Sequence, residues 1–511
     1  MEVSENIKIN LDYMKKRMSA DICIDVIIRS FTVNINDKNL SAFLIYYEGT
    51  VKGNQADEFI LQAMHLMPQE DLSGDVKDII ENRLITRNQL SELTKMDDVM
   101  SQINYGGCAV FVDTVNCAFV ADVKGWNDRP VDQPTTEWII RGPQEGFNEV
   151  LRTNTGILRK LIKNENMIIE DFTVGKKSNT SCNLIYIRDI VNDKILAEIK
   201  RRLLNIEVDY LFDSGELEQL IEDFTFLPTP QILATERPDR VANNLAGGKV
   251  AILVDGSPFA LVLPINALEL IHTSEDGYLR YPFANLLRIM RLFAMLTALL
   301  LPGIFVAVFY YHREALPSHL LFAIVDSRKH VPFSLIGEII ILEIVFEFIR
   351  EACARLPGTL GQTVGIVGGL VLGQASVDAN LVSLIVIIIV ALTAIGSFAT
   401  PNFFLGFSFR VTKYWYIFLG ALGGFLGISA GLFLHLAVLC DAQSMGIPFL
   451  APLAPKYKGG GNFLTKPIYK REKRHAFLFP KKIRLQPDVS RGWSQDEEST
   501  ISPVEDTTEV D

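Results

Sequence analysis

Apolar and polar positions change their rhythm near Arg280. Before it, short apolar runs alternate with charge as in a water-soluble α/β chain; after it, charge nearly vanishes for long stretches. Between Leu292 and Leu450, four uncharged runs (292–311, 359–377, 381–409 and 414–440) are long enough to cross a bilayer. One charged helical segment, 332–357, interrupts them. Within it Glu343, Glu347, Arg350 and Glu351 fall at helical spacing and share an arc of about 100°. Charges on one face of a helix at membrane depth point at water or at each other.

In the N-terminal part the pattern predicts a helix over 6–19, a strand over 42–48, helices over 57–67 and 89–100, and a hairpin from 108–113 and 117–123. A polar connector around 129–136 leads to a second lobe. There Arg141-Gly142-Pro143 introduces a helix with Phe147, Val150, Leu151 and Leu158 as its apolar stripe. A strand over 183–187 and helices over 194–204 and 216–224 follow, and then 249–264 reads as a hairpin around Asp255-Gly256-Ser257. No internal repeat is evident. The fold class is therefore a two-lobed α/β soluble region followed by an α-helical multi-span membrane domain, divided as lobe 1 (1–130), lobe 2 (131–280, with hairpin 249–264 leading into the membrane), membrane domain (281–455) and a disordered tail (456–511).

Charge refines this picture. A net charge of −11 argues against a nucleic-acid binder. The tail is basic from Lys456 to Arg491 and acidic from Asp496 to Asp511, which marks the cytoplasmic side of a last span. The N-terminus lacks the apolar core of a signal peptide, so the lobes are expected in the cytoplasm. With both ends there, the crossings must be even, which favours an interior or re-entrant position for the charged helix. Six scattered cysteines without a CxxC pair predict reduced thiols and no structural zinc.

The candidate chemistry has two readings at each site. Glu343, Glu347 and Glu351 form carboxylate rings for cations in an oligomer, offset by Arg350, or Arg350 pairs with them and holds a bundle together. Three acids against one base on the arc favour the former. Gly365, Gly369 and Gly373 recur every four residues without a P-loop lysine, so they read as a helix-packing stripe. A further glycine set, Gly420, Gly423, Gly424, Gly427 and Gly431, extends close packing to the last span, and Pro302 and Pro401 mark kinks or breaks. Arg141 and Arg237 are suited to a ligand carboxylate or phosphate, or to lobe contacts with Glu137 and Glu236. No catalytic, metal or cofactor signature is present.

Ordered motifs then resemble a known family. They are Glu137 with Arg141-Gly142-Pro143; Thr153-Asn154 and Arg159; Thr235-Glu236-Arg237-Pro238-Asp239; Ile252 to Phe259; Gly361-Gln362; Gly365 to Ala375; and Gly446 to Pro452. Their order resembles the A subunits of bacterial spore germinant receptors, the GerA family. The resemblance implies an integral protein of the spore inner membrane that works with a transporter-like B subunit and a lipoprotein C subunit. It implies nutrient-triggered release of monovalent cations and a homo-oligomeric channel in membrane lipid. An accessory homologue that amplifies ion release and a secondary transporter are the rival readings.

Overall fold

The computed structural model describes residues 1–35, 38–51, 76–80, 90–123, 133–134, 136–356, 365, 368–369, 373–457, 463–466 and 474–482. The chain opens with α1, Ile7–Met18, started by the Asn6 side chain accepting from the Lys8 amide. Next come β1 (Val26–Ile35), β2 (Lys38–Tyr47), β3 (Leu90–Leu93), α2 (Met96–Asn104), β4 (Gly107–Val112) and β5 (Ala118–Asp122). The strands form an antiparallel sheet in the order β1-β2-β4-β5-β3. β4 is apolar on both faces because both are covered, with Val110 in one core cluster and Phe111 in the other.

The second lobe contains α3 (Leu151–Leu161), β6 (Met167–Val174), β7 (Thr180–Ile187), α4 (Asp193–Leu204), α5 (Ser214–Ile221), β8 (Leu233–Thr235), α6 (Pro238–Ala246), β9 (Val250–Val254) and β10 (Ala260–Leu263). Its sheet runs β6-β7-β9-β10-β8, again antiparallel throughout. This is the strand order of the first lobe repeated.

The repeat extends to single bonds. Asn10 bridges the amide and carbonyl of Ser4, and Asn154 does the same to Asn148. Asp113 in the β4–β5 turn accepts from the Ile7 amide at 3.2 Å, and Asp255 in the β9–β10 turn accepts from the Leu151 amide at 3.3 Å. Thr114 and Gly256 follow these aspartates with left-handed φ of 71° and 84° and donate to the Glu5 and Glu149 carbonyls. The expectation of no internal repeat is thus corrected: the same order of strands and bracketing helices occurs twice, with the short helix Val76–Ile79 between the second and third strands of the first copy and α4 and α5 in that place in the second. Because Asn10 and Asn154 are buried, Asn10→Ala and Asn154→Ala should each cost about 1–3 kcal/mol. Chemical denaturation of the full chain checks this, and similar losses in the two lobes are expected.

Other expectations shift. The helix expected from Arg141 begins only at Leu151; Gly142 takes φ 139°, and the preceding segment is irregular coil. The segment 89–100 splits into β3 and α2. The predicted helix 57–67 lies outside the described residues. The hairpins at β4–β5 and β9–β10 form as expected.

The helical region comprises α7 (Tyr281–Tyr311), α8 (Ser318–Ser327), α9 (Leu335–Arg355), α10 (Leu384–Phe398) and α11 (Phe403–Asp441). Two of these, α7 and α11, are long and apolar enough to cross a membrane. The run 359–377 falls largely outside the described residues; its end forms a short helix, Gly373–Asp378. The runs 381–409 and 414–440 are partitioned differently from expectation. The break falls at Pro401, after which Asn402 caps α11 by accepting from the Leu405 amide, so Arg410 and Lys413 lie inside a helix.

Gly424 is the second break, with φ 58° and ψ −138°. In a straight helix Tyr416 and His435 would stand about 28 Å apart, yet the Tyr416 hydroxyl and His435 Nδ1 lie 2.9 Å apart. The chain therefore reverses at Gly424. Arm 403–423 runs beside α7, with Gly303 and Gly420 at their contact: a Cβ on either would stand 2.5 Å from a backbone oxygen of the other helix. Arm 425–441 returns. Both ends of α11 consequently meet the same loop of lobe 2, through Thr229 to Ser408 and through Ser444 to the Gln231 carbonyl. After β11 (Gln443–Ser444) and β12 (Ile447–Pro448), Phe449, Phe477 and Leu478 join the core of lobe 2. The tail expected to be disordered is thus docked over 474–482, where Arg474 donates to the Ala246 carbonyl and Lys481 pairs with Asp193.

Candidate functional site

Two clusters of buried charge stand out: one where lobe 2 meets α7, the other among α9, α10 and α11.

The first begins at Glu137. Its carboxylate accepts from Arg240 at 2.9 Å and from the Thr235 hydroxyl at 3.0 Å. Arg240 reaches on to the carbonyls of Glu269 and His272, at 3.1 and 2.9 Å, where the short helix Ala267–Ile271 ends and leaves acceptors unpaired. Glu269 closes that helix's capping box and pairs with buried Lys249. Burial pushes the Lys249 ammonium down from its ordinary value, and Glu269 pulls it back up. Five residues beyond the short helix, Asp276 holds Arg288 and Arg291 of α7 at 2.8 and 2.9 Å. Burial raises the Asp276 carboxyl, but the two guanidiniums outweigh it, so its pKa lies below the ordinary value. Lobe 2 and the first long apolar helix are therefore joined through the segment 269–276, which buried, charge-assisted bonds tie to Arg240 on one side and to Arg288 and Arg291 on the other.

His272 sits in this segment, buried, and desolvation lowers its pKa to about 3, with Arg288 adding to the effect. The unfolded chain takes up this proton near pH 6.5 and the folded chain does not until about pH 3. Stability from this group is complete above pH 6.5 and is lost as pH falls through that window, by about 1.4 kcal/mol per unit. Thermal melts of wild type and His272→Asn across pH 3–7 should show a shallower acid slope in the variant.

The second cluster gathers three of the four expected charged residues. Glu343, 2% exposed, pairs with Lys413, itself 3% exposed. Glu347 pairs with Arg350 at 3.1 Å, Arg410 at 3.5 Å and Lys413 at 3.8 Å. Arg350 also donates to the Ser397 hydroxyl of α10 at 3.2 Å. Glu351 stands apart, exposed and paired with Arg355. The excess of acid inferred from α9 alone is corrected: α11 supplies Arg410 and Lys413. A further pair escaped the sequence reading, Glu338 with Arg328 at 2.8 Å, the carboxylate also accepting from the Ser383 amide and hydroxyl. With Glu338 at Ser383 and Arg350 at Ser397, α9 and α10 run side by side in one direction.

The glycine stripe is only partly described. A Cβ at Gly365 would meet Cys353 Sγ at 3.4 Å, and at Gly369 and Gly373 it would meet nothing within 4 Å among the described residues. Arg237 is buried, paired with Asp239 at 3.1 Å and donating to the carbonyls of Glu137 and Pro143. Arg141 is exposed. Arg159, 2% exposed, crosses between the lobes to Asp25 at 2.7 Å and lies over the Tyr47 ring. Arg240, Asp276, Arg288 and Arg291 were missed as site residues. The Arg-x-x-Arg of 288–291 at the edge of an apolar run was the available signal.

Comparison with known proteins adds identity to this geometry. Residues 12–477 match the family model described as Bacillus/Clostridium GerA spore germination protein. Spore germination protein KA of Bacillus subtilis (strain 168) is 36% identical over 98% of this chain and 91% of its own length. A second protein of that organism, described as uncharacterized membrane protein YfkQ, is 38% identical over 89% of this chain and 87% of its own. The crystal structure of the N-terminal domain of the A subunit of the Bacillus megaterium spore germinant receptor GerK3 covers 51% of this chain and 96% of that one, at 32% identity and a TM-score of 0.41.

Proposed function

The chain belongs to the Bacillus/Clostridium GerA spore germination protein family and is an A-type germination protein, and we propose that it couples nutrient sensing to release of monovalent cations across the spore inner membrane. In this reading it assembles with a transporter-like B subunit and a lipoprotein C subunit. Its lobes lie on the spore-core side, and several copies surround a conducting path.

The observation that carries the reading is a joint of two bond sets, Arg240 with Glu137 and the carbonyls of Glu269 and His272, and Asp276 with Arg288 and Arg291 of α7, connected by the short segment 269–276. A sensor that moves membrane helices needs a stiff, specific joint between the two parts, and charge-assisted bonds supply one. The side facing lobe 2 also carries Arg288, Arg291, Arg350, Arg410 and Lys413 at or near helix ends, which supports placing the lobes on the core side. Glu343, Glu347 and Arg350 act in gating: exchange of Lys413 between Glu343 and Glu347 offers two packings of similar energy. Gly369 and Gly373 serve contacts between copies.

The test is nutrient-triggered potassium flux from the complete receptor in liposomes. Asp276→Asn should lower the triggered flux several-fold while subunit assembly, read by co-purification, is kept. Unchanged flux refutes the joint. An accessory role that amplifies ion release is the second reading; flux indifferent to the nutrient yet dependent on this chain would favour it.

A further inference from the structure

The cluster of α9, α10 and α11 does not balance. Two carboxylates, Glu343 and Glu347, face three cations, Arg350, Arg410 and Lys413. Among the described residues no further acid reaches this cluster: Glu338 is committed to Arg328 and Glu351 to Arg355, and the sequence 357–372 contains neither Asp nor Glu. One positive charge is left over between apolar helices, where an isolated charge is costly.

Its position follows from side-chain direction. Helical side chains lean toward the N-terminus, and the Arg410 guanidinium lies over the rings of Phe407 and Phe403, at 4.8 and 6.0 Å, one and two turns toward the start of α11. That start is level with the end of α10, where Arg350 stacks on Phe398 at 4.9 Å. Both arginines keep an exposed edge, and Phe398, Phe403 and Phe407 around them are each more than half exposed. Arg350 Nε and Thr400 Oγ1 are buried without a hydrogen-bond partner among the described residues. Two guanidiniums, unused donors and a lipid-facing aromatic rim at one helix end have the chemistry of a phosphate site at the bilayer interface.

We propose that Arg350 and Arg410 bind the headgroup phosphate of an anionic phospholipid in the leaflet next to the lobes. The inference goes beyond the receptor reading and requires only that these helices span a bilayer. A lipid of net charge −1 neutralises the cluster; a zwitterionic one does not. The aromatic rim favours a lipid over a free anion, since acyl chains cover the exposed rings.

The test is native mass spectrometry of the full chain in detergent, titrated with phosphatidylglycerol or phosphatidylcholine of matched acyl chains. Wild type should retain phosphatidylglycerol preferentially, Arg410→Gln should lose about tenfold in affinity, and Arg355→Gln should match wild type. Arg410→Lys keeps the charge without the fork, and an intermediate loss is expected; it serves if the glutamine variant misfolds. Equal retention by wild type, Arg410→Gln and Arg410→Lys overturns the site, as does an equal loss in Arg355→Gln. Thermal stabilisation by inorganic phosphate matching that by phosphatidylglycerol overturns the lipid as occupant.

Discussion

Lys413→Met should be among the most damaging single substitutions in the helical region, lowering stability by about 3–5 kcal/mol. Lys413 and Glu343 are both almost fully buried, Glu343 Oε2 accepts from Lys413 while Oε1 has no hydrogen-bond partner among the described residues, and the surrounding helices are apolar. Removing the ammonium leaves the buried Glu343 carboxylate without a direct partner, because Arg350 and Arg410 pair with Glu347. Removing both members of the pair should cost less than removing one: the double variant Glu343→Leu with Lys413→Met is expected to recover most of the loss, because apolar side chains of similar volume often replace a buried pair without penalty. Thermal melts in detergent of the two single variants and the double variant give the coupling. A double variant as unstable as Lys413→Met would show that the pair is not the source.

The second large effect is expected at Arg159. Its replacement by methionine keeps the bulk of the stem and removes two bonds to Asp25, at 2.7 and 3.0 Å, as well as the stacking on Tyr47 at 4.0 Å. Asp25 is then buried without its partner, at a cost of about 3–5 kcal/mol. Because Asp25 precedes β1 and Arg159 lies on α3, the damage falls on the contact between the lobes. Hydrogen exchange should show faster exchange at Ile24, whose amide bonds the Ile169 carbonyl across the same contact, while the β9–β10 pairing is unaffected. Adding Asp25→Asn should restore part of the stability.

Legibility followed the range of the forces involved. The β9–β10 hairpin was readable because two apolar runs flank Asp255-Gly256, a signal contained in a few residues. The start of α3 was not. Its first amide is held by Asp255, a residue more than a hundred positions away, whereas Pro143, the local signal for a helix start, sits in coil. The repeat was hidden for a related reason: Ser4 and Asn148, or Thr114 and Gly256, do the same work through backbone atoms, so the shared Asn10/Asn154 and Asp113/Asp255 are the sparse side-chain trace of it. In the helical region α9 brings Glu343, Glu347 and Arg350 into one cluster and leaves Glu351 outside it, and the partners on α11 were not legible. Arg410 and Lys413 read as a loop between spans; Pro401 followed by the capping Asn402 was the truer boundary.

The return of the chain to lobe 2 also sets an order of events during synthesis. Phe449, Phe477 and Leu478 belong to the same core as β6 to β10, yet they leave the ribosome after all of the long apolar helices. At ordinary elongation speeds that delay is roughly 10–40 s. Through that interval the apolar seat for those three side chains is open, and a nascent chain paused in the helices presents it to chaperones. Completion of the lobe therefore reports that the helices have been made, and a truncation before Phe477 should be met by the cell as an unfinished protein.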